Sequence, residues 1–435
     1  MATLTTVSSN YGTINGIQKD GYSVFRGIPF AKVPTGALRF APPQKPESFK
    51  EAYDAFTFRF IPMQHFTDPD GLYQKEFYDN PDFHFPISED CLYLNIWTPA
   101  HTASEKLPVA VWIHGGGFEH GFSTELEFDG EAYAKKGVIL ATISYRVNVF
   151  GFLYDQKQEK ELGFSGNQGL LDQIAALEWI SENIAAFGGN PDNITIMGQS
   201  AGAMSSHVLT FSPLAAPMIH QAILQSGSIA GFPSPMVFTK AQAQAVTDKL
   251  YELCGVSSIK ELRRLPAEDL LDKSDELMTL YPSLPFRPAV DGHVLPDTPD
   301  VLTKEGGMAH IPYLMGVTKD DLFIPEGASH REGGFFTAAV SFANACRKQN
   351  LPVYLYEFCH DLPGSSDGAF HSSELWYTFG TLDRCWRPMT DADHALAEKM
   401  VTCWTDFMKH GNPNSTGTND WKPWTEEHPY VKTFA

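Results

Sequence analysis

From residue 108 onward the chain alternates short apolar runs, many of them β-branched, with longer stretches of helical period. The runs at 109–113, 138–144, 194–197, 222–225, 313–317 and 353–358 have the length of buried strands. The clearest helix is 170–187, where Leu170, Ile174, Leu177 and Ile184 fall on one face, Gly188-Gly189 stops the helix and Pro191 prevents a restart. Strands alternating with helices predict an α/β fold with a mostly parallel central sheet. The first hundred residues read differently, as short antiparallel strands broken by turns. An Asn15-Gly16 hairpin signal sits in Tyr11–Ile17, and a strand at 91–97 is closed by Pro99. Residues 41–87, rich in Pro, Phe and Asp, predict a long irregular surface excursion. Residues 238–280 predict two or three helices interposed between strands, inside an inserted group at 235–285 of the kind that covers a cleft. With no internal repeat and no low-complexity linker, the expectation is one domain over 1–435 carrying that insertion.

Composition narrows the partners. The 435 residues are 43% hydrophobic and 13% aromatic, enough for a large core. Asp plus Glu total 52 against 32 Lys plus Arg, a formal charge of −20. Such a field repels phosphate backbones and anionic lipid, so neither nucleic acid nor a membrane surface is an expected partner, and neutral or cationic small molecules are favoured. No apolar run approaches the roughly 20 residues of a membrane span. The first ten residues lack a basic start and an apolar h-region, so the expected location is the cytoplasm. The six cysteines show no CxxC spacing, which predicts reduced thiols and no metal site. Oligomeric state is not encoded in any pattern found here.

The segment that carries chemistry is Ile194-Thr195-Ile196-Met197-Gly198-Gln199-Ser200-Ala201-Gly202-Ala203. A β-branched strand runs into Gly-x-Ser-x-Gly and then into a small-residue helix. That context predicts a nucleophile elbow, with glycines where side chains would collide and the Ser200 hydroxyl thrust toward a cleft. A serine hydroxyl needs a base, and the oxyanion it generates needs fixed donors. The run His114-Gly115-Gly116-Gly117-Phe118 after the first parallel strand can supply backbone N–H groups, and the Ala201 amide can complete the hole. His114 itself is expected to be a structural neighbour. In the chain order of such enzymes an acid and then a histidine follow, each after a later strand. The run 313–321 ends in Asp320-Asp321, and beyond the strand at 353–358 His360 and His371 compete on position alone.

Several stretches resemble one known family. Ser88–Trp97, Trp112–Phe118, Gly166–Gln173, Phe187–Pro191 and Gln225–Ser228 are similar, in order, to the type-B carboxylesterases, which include cholinesterases and bacterial p-nitrobenzyl esterases. The resemblance implies the α/β-hydrolase fold, a bacterial member, no cofactor and hydrolysis of small carboxylic esters. Position by position it implies Ser200 as nucleophile, Gly116, Gly117 and Ala201 as oxyanion donors, Asp321 as the acid and His371 as the base. It further implies Ser226 and Gln199 as supporting residues. Gln199 stands where many relatives have Glu, which argues against a choline-ester specialist. Cys91 and Cys254 each match half of a disulfide in secreted relatives, with Met63 about where a partner would stand. The stretch from Asp321 to His371 is shorter than in full-length relatives, which predicts a more open cleft rimmed by 327–334. Phe118, Phe122, Phe286 and Trp376 are candidates for an apolar pocket, and Glu89, Arg146 and Asp172 for buried ion pairs. Short to medium acyl or aryl esters are the expected substrates. The alternatives are a feruloyl-type, lactone or thioester hydrolase with the same triad, or a non-catalytic binding module.

Overall fold

A computed structural model describes residues 2–65, 71–281, 283–414 and 420–435. The strands in its N-terminal part are β1 (Thr6–Ser9), β2 (Gly12–Asn15), β3 (Ile17–Gln18), β4 (Ser23–Pro29), β5 (Tyr53–Asp54) and β6 (Tyr93–Thr98). They are followed by β7 (Leu107–Ile113), β8 (Ile139–Ile143), β9 (Gly189–Gln199), β10 (Gln221–Gln225), β11 (Tyr313–Thr318), β12 (Val353–Phe358) and β13 (Val431–Phe434). One sheet has the order β3-β4-β6-β8-β7-β9-β10-β11-β12-β13, and β1, β2 and β5 make a small second sheet. The pairs β3/β4, β4/β6 and β6/β8 are antiparallel. Every pair from β8 to β13 is parallel.

Successive side chains of a strand face opposite sides, so a parallel sheet covered on both faces needs strands apolar throughout. β7 does this: Val109, Val111 and Ile113 enter one core layer, while Ala110 and Trp112 enter the other. β11 and β12 divide in the same way, Met315 and Leu355 on the first side, Leu314, Tyr354 and Tyr356 on the second. The helix Gln168–Asn183 covers the first face and passes into a short 3-10 turn, Ile184–Phe187. Gly188, at φ +83°, ends it, because a left-handed residue is needed to turn the chain into β9. Its Cβ would also meet Ala100 Cβ at 2.3 Å.

Two sequence expectations change. Asn15-Gly16 does not close a hairpin. β1 and β2 pair across Asn10-Tyr11, and Asn15-Gly16 separates β2 from β3, which serve different sheets. Glycine is required there because a Cβ on Gly16 would lie 2.7 Å from the Phe25 ring. The excursion 41–87, of which 66–70 lie outside the described residues, is not all surface. Phe77 and Glu76 are buried, and Glu76 is held by Arg387 Nε at 3.0 Å and by the indole N–H of Trp376 at 2.8 Å. The helical group consists of Lys240–Cys254, Ile259–Leu262 and Ala267–Thr279, whose Leu250, Leu262, Leu270 and Leu277 belong to the first core layer. Arg146 forks onto Asp172 with two 2.7 Å bonds, and Arg39 onto Glu89 with two of 2.6 Å. All six cysteines are free. Among the described residues no helix is long and apolar enough to cross a membrane.

Five parallel strands end at one edge. β7 leads into His114, β9 into Ser200, β10 into Ser226 and β11 toward Asp321, while the loop after β12 carries His371. The carboxyl edge of such a sheet is where open α/β folds gather their functional loops.

Candidate active site

Ser200 sits between β9 and the helix Ala201–Phe211 with φ 55° and ψ −127°, a region that costs a non-glycine residue roughly 1–3 kcal/mol. The surroundings enforce it. A Cβ on Gly198 would lie 2.4 Å from the Gly202 carbonyl carbon, and one on Gly202 would lie 2.0 Å from Ile113 O. The elbow therefore packs directly on the end of β7. The Ser200 amide donates to Gln225 O at 2.9 Å, which ties the bend to β10.

The glycine loop is turned by Gly116 at φ +100° and Gly117 at φ +64°. A side chain on Gly116 would put its Cβ 2.1 Å from His120 O. His114 anchors the loop from below: it stacks on Tyr145 at 4.3 Å, and the Tyr145 hydroxyl donates to His114 O at 3.0 Å. Burial pushes the His114 imidazole down to about 3, so it stays neutral and structural at ordinary pH.

Asp321 Oδ1 lies 2.5 Å from His371 Nδ1. The other carboxylate oxygen accepts from Ser226 Oγ at 2.7 Å and from the Thr318 amide at 3.1 Å, and the Leu322 amide donates to Oδ1 at 2.8 Å. Burial is the largest single influence on Asp321 and acts to raise its pKa. The charge and hydrogen bond of His371, with the bonds from Ser226 and Leu322, together outweigh burial and hold the carboxyl below its usual range. An ionised Asp321 accepts from Nδ1–H, so in the neutral ring Nε2 carries the lone pair. Gln199 Nε2 lies 3.1 Å from that atom and donates to it. Phe335 stacks on the imidazole at 5.9 Å. His360 is elsewhere: its Nε2 pairs with Asp393 Oδ1 at 2.7 Å. Asp320 accepts the Ala369 amide at 2.9 Å and so braces the loop that leads to His371.

One cavity of about 320 Å³ is lined by Ser200, His371, Gln199, Gly116, Gly117 and Ala201, among others. Its apolar wall differs from the sequence expectation. Phe118, Phe122, Phe286 and Trp376 are all buried behind the lining. Phe118, at φ +65°, turns its ring onto Phe152 at 5.1 Å, and Trp376 stacks on Phe77 at 5.5 Å. The lining rings are Tyr73, Phe77, Tyr78, Phe128, Phe323 and Phe335. The stretch 327–334 does not line the cavity; its His330 and Arg331 bind Glu357 instead. His330, Glu357 and Cys359 are close enough to hold a metal ion, but the Arg331 fork already occupies both oxygens of Glu357.

Glu374, three residues after His371, was not singled out from the sequence, and a lone Glu in His371-Ser372-Ser373-Glu374 offers little signal. It is fully buried and accepts from Gln225 Nε2 at 3.3 Å. Burial first, then the negative charge of Asp321, pushes its carboxyl up to about 7. Since the unfolded carboxyl titrates near 4.5, the stability this group contributes is complete below that pH and is lost as pH rises through about 7. Glu374→Gln, neutral throughout, is expected to gain on the order of 3 kcal/mol over the parent protein between pH 4.5 and pH 8. Thermal unfolding at the two pH values checks this, and a constant difference between the proteins would contradict it.

A sharp strand–helix bend carrying a serine on the carboxyl edge of this sheet, with a histidine–carboxylate pair on neighbouring loops, defines the class as an α/β-hydrolase. The model of the carboxylesterase family matches residues 3–329 and 328–434, and the chain belongs to that family as a carboxylic ester hydrolase. It is 34% identical to the para-nitrobenzyl esterase of Bacillus subtilis over 97% of this chain and 93% of that one. It is 31% identical to carboxylesterase 1D of Rattus norvegicus over 95% and 85% of the two chains. Among solved structures, a PNB esterase superposes with a TM-score of 0.88 at 32% identity, covering 100% of this chain and 96% of the other. A carboxylesterase of Geobacillus stearothermophilus gives 0.81 at 33% identity, covering 99% and 97%.

Proposed function

We propose that this serine carboxylesterase works through Ser200, His371 and Asp321 as its triad, with the amides of Gly116, Gly117 and Ala201 as its oxyanion hole. The observation that supports this reading is the 2.5 Å Asp321–His371 bond, with His371 lining the same cavity as Ser200, Gly116, Gly117 and Ala201. His371 Nε2 takes the Ser200 proton as Oγ attacks the ester carbonyl carbon. Gln199 must then yield its bond to Nε2, or share that atom with the hydroxyl. Asp321 stabilises the imidazolium, and the three amides take the oxyanion charge. As the tetrahedral adduct collapses, the alkoxide leaves with the proton from Nε2, giving an acyl-enzyme on Ser200. Water then attacks that ester by the same route, releases the acid and restores the serine.

The cavity volume is at the low end of small-molecule sites, roughly 300–1,000 Å³, and suits short to medium acyl or aryl esters. Met236 and Leu284, from the stretch 235–285, line it, so we take that stretch as an insertion in one hydrolase domain. We place the enzyme in the cytoplasm, a reading that its unpaired Cys91 and Cys254 support.

The acid is the most stringent test, because two carboxylates are adjacent. Asp321→Asn is expected to lower kcat on p-nitrophenyl butyrate by about 10⁴, since an amide cannot hold the Nδ1–H tautomer. Asp320→Asn, which keeps an amide oxygen for the Ala369 N–H and loses only the charge beside Lys319 at 3.7 Å, is expected to cost less than about tenfold. Steady-state rates decide, and the reverse order would move the acid by one residue.

A further inference from the structure

Beyond the triad the cavity contains a second set of ionisable groups. Glu125 and Glu127 both line it, and they are 6% and 1% exposed. Glu125 Oε1 accepts the Phe122 amide at 2.9 Å, and its carboxylate also accepts from the Tyr78 hydroxyl and from the protonated carboxyl of Glu127. Glu127 Oε2 is buried without a hydrogen-bond partner among the described residues. The strongest influences on the pair are burial, the two carboxyls on each other, the Phe122 amide, Tyr78 and, for Glu127, the charge of Glu76. None of these is a cation, and Glu76 is itself taken up by Arg387 at 3.0 Å. Two carboxyls in a lining that also includes Phe77, Phe128, Met204 and Leu375 lower stability unless something in the cavity compensates them. Glu127 lacks only a hydrogen-bond donor, and the pair lacks only a positive charge.

We propose that Glu125 and Glu127 form an acidic subsite of the catalytic cavity that binds a primary ammonium group, so that esters bearing an amine are among the enzyme's preferred substrates. The inference rests on the esterase reading above and names a substrate class within it. A primary ammonium supplies N–H donors for Glu127 Oε2 and for Glu125, together with the missing charge. A quaternary ammonium has the charge but no N–H, and an alcohol has a donor but no charge. The formal charge of −20 draws cations toward the cleft.

Binding should follow the protonation of the pair. Burial pushes Glu125 up to about 7 and Glu127 higher, so the site gains negative charge as pH rises through neutrality and the cation binds more tightly. The groups around the pair are Tyr78, Tyr145 and Glu76, with His114 and His120 in the adjoining loop, His371 elsewhere in the lining, and Arg384, which bonds the Leu126 carbonyl between the two glutamates and is paired with Asp129 at 2.6 Å. Burial raises the two tyrosines and lowers the two histidines, the His114 imidazole to about 3.

The test uses Ser200→Ala protein and calorimetric titration with n-pentylammonium, 1-pentanol and n-pentyltrimethylammonium at pH 6 and pH 8. Pentylammonium is expected to bind at least about tenfold tighter than either probe at pH 8, with a several-fold smaller preference at pH 6. Adding Glu125→Gln and Glu127→Gln together should abolish the preference and its pH dependence. Equal affinities, a quaternary probe that binds as tightly as the primary one, or a preference that survives the double substitution would each overturn the proposal. If the double substitution prevents folding, Glu125→Gln alone decides: it should cut the preference for pentylammonium at pH 8 several-fold, and an unchanged preference would overturn the proposal. Since no turnover is measured, failure here leaves the esterase reading standing, and failure of that reading appears separately as undiminished hydrolysis by Ser200→Ala.

Discussion

Ser200→Ala is expected to lower kcat on p-nitrophenyl acetate or butyrate by about 10⁵–10⁶ while leaving the protein folded. The loss is that large because the hydroxyl is the bond-forming atom, and no neighbouring group can replace it. Some acceleration over water should remain, about 10³ or less, from binding and the three amides alone. Stability should change little. Alanine keeps the Cβ, so the φ 55° bend carries the same strain, and the Ser200 amide keeps its 2.9 Å bond to Gln225 O. The melting temperature is therefore expected to stay within about 2 °C of the parent, since surface-like changes lie near ±0.5 kcal/mol. A second readout removes ambiguity about trace activity. Mixing with excess p-nitrophenyl acetate should give no burst of nitrophenol and no acyl adduct in the intact mass. Retained turnover, or an acyl adduct in the alanine protein, would refute Ser200 as the nucleophile.

The parts of this site that were legible in the sequence are those dictated by local sterics. Gly198 and Gly202 could be read as an elbow because any other residue there strikes Gly202 itself or Ile113 O, whatever the rest of the fold does. The strands of the parallel sheet were legible because burial on both faces demands unbroken apolar runs. β13 was not, since Val431–Phe434 becomes a strand only by pairing with β12 at the sheet edge. The choice between His360 and His371 also lay beyond spacing. It depends on partners brought from far along the chain: Asp393, on the helix Asp391–His410, for one, and Asp321 for the other. The cavity wall was the least legible part. Aromatics beside the motifs were natural candidates, yet the turns that make the motifs work rotate those rings into the core. The wall is supplied by Tyr73, Phe77 and Tyr78 from a segment held down by Glu76 and Arg387, and by Phe323 and Phe335. Gln199 was legible as a departure from its relatives, but its bond to His371 Nε2 depends on where the His371 loop comes to rest.

That bond sharpens the second large prediction. His371→Ala is expected to reduce kcat by about 10⁴–10⁶, because without Nε2 the Ser200 proton has no acceptor of suitable pKa. The substitution also removes the partner that holds Asp321 ionised. Burial, the largest influence on that carboxyl, then acts against the Ser226, Leu322 and Thr318 bonds without the imidazole, and Asp321 titrates higher. The alanine protein should accordingly lose on the order of 1–3 kcal/mol of stability, a loss that grows as pH rises above the ordinary carboxyl range and the unpaired buried carboxylate is forced to ionise. His360→Ala supplies the control. His360 hydrogen-bonds Asp393, whose carboxyl also caps the helix Asp391–His410 through Thr390. Its loss should cost about 1 kcal/mol in thermal unfolding and less than a factor of about three in kcat. The two proteins thus separate a histidine that moves a proton from one that braces a helix. If His360→Ala were the inactive protein and His371→Ala retained its rate, the 2.5 Å bond to Asp321 would be structural only, and the base would have to be sought outside this cavity.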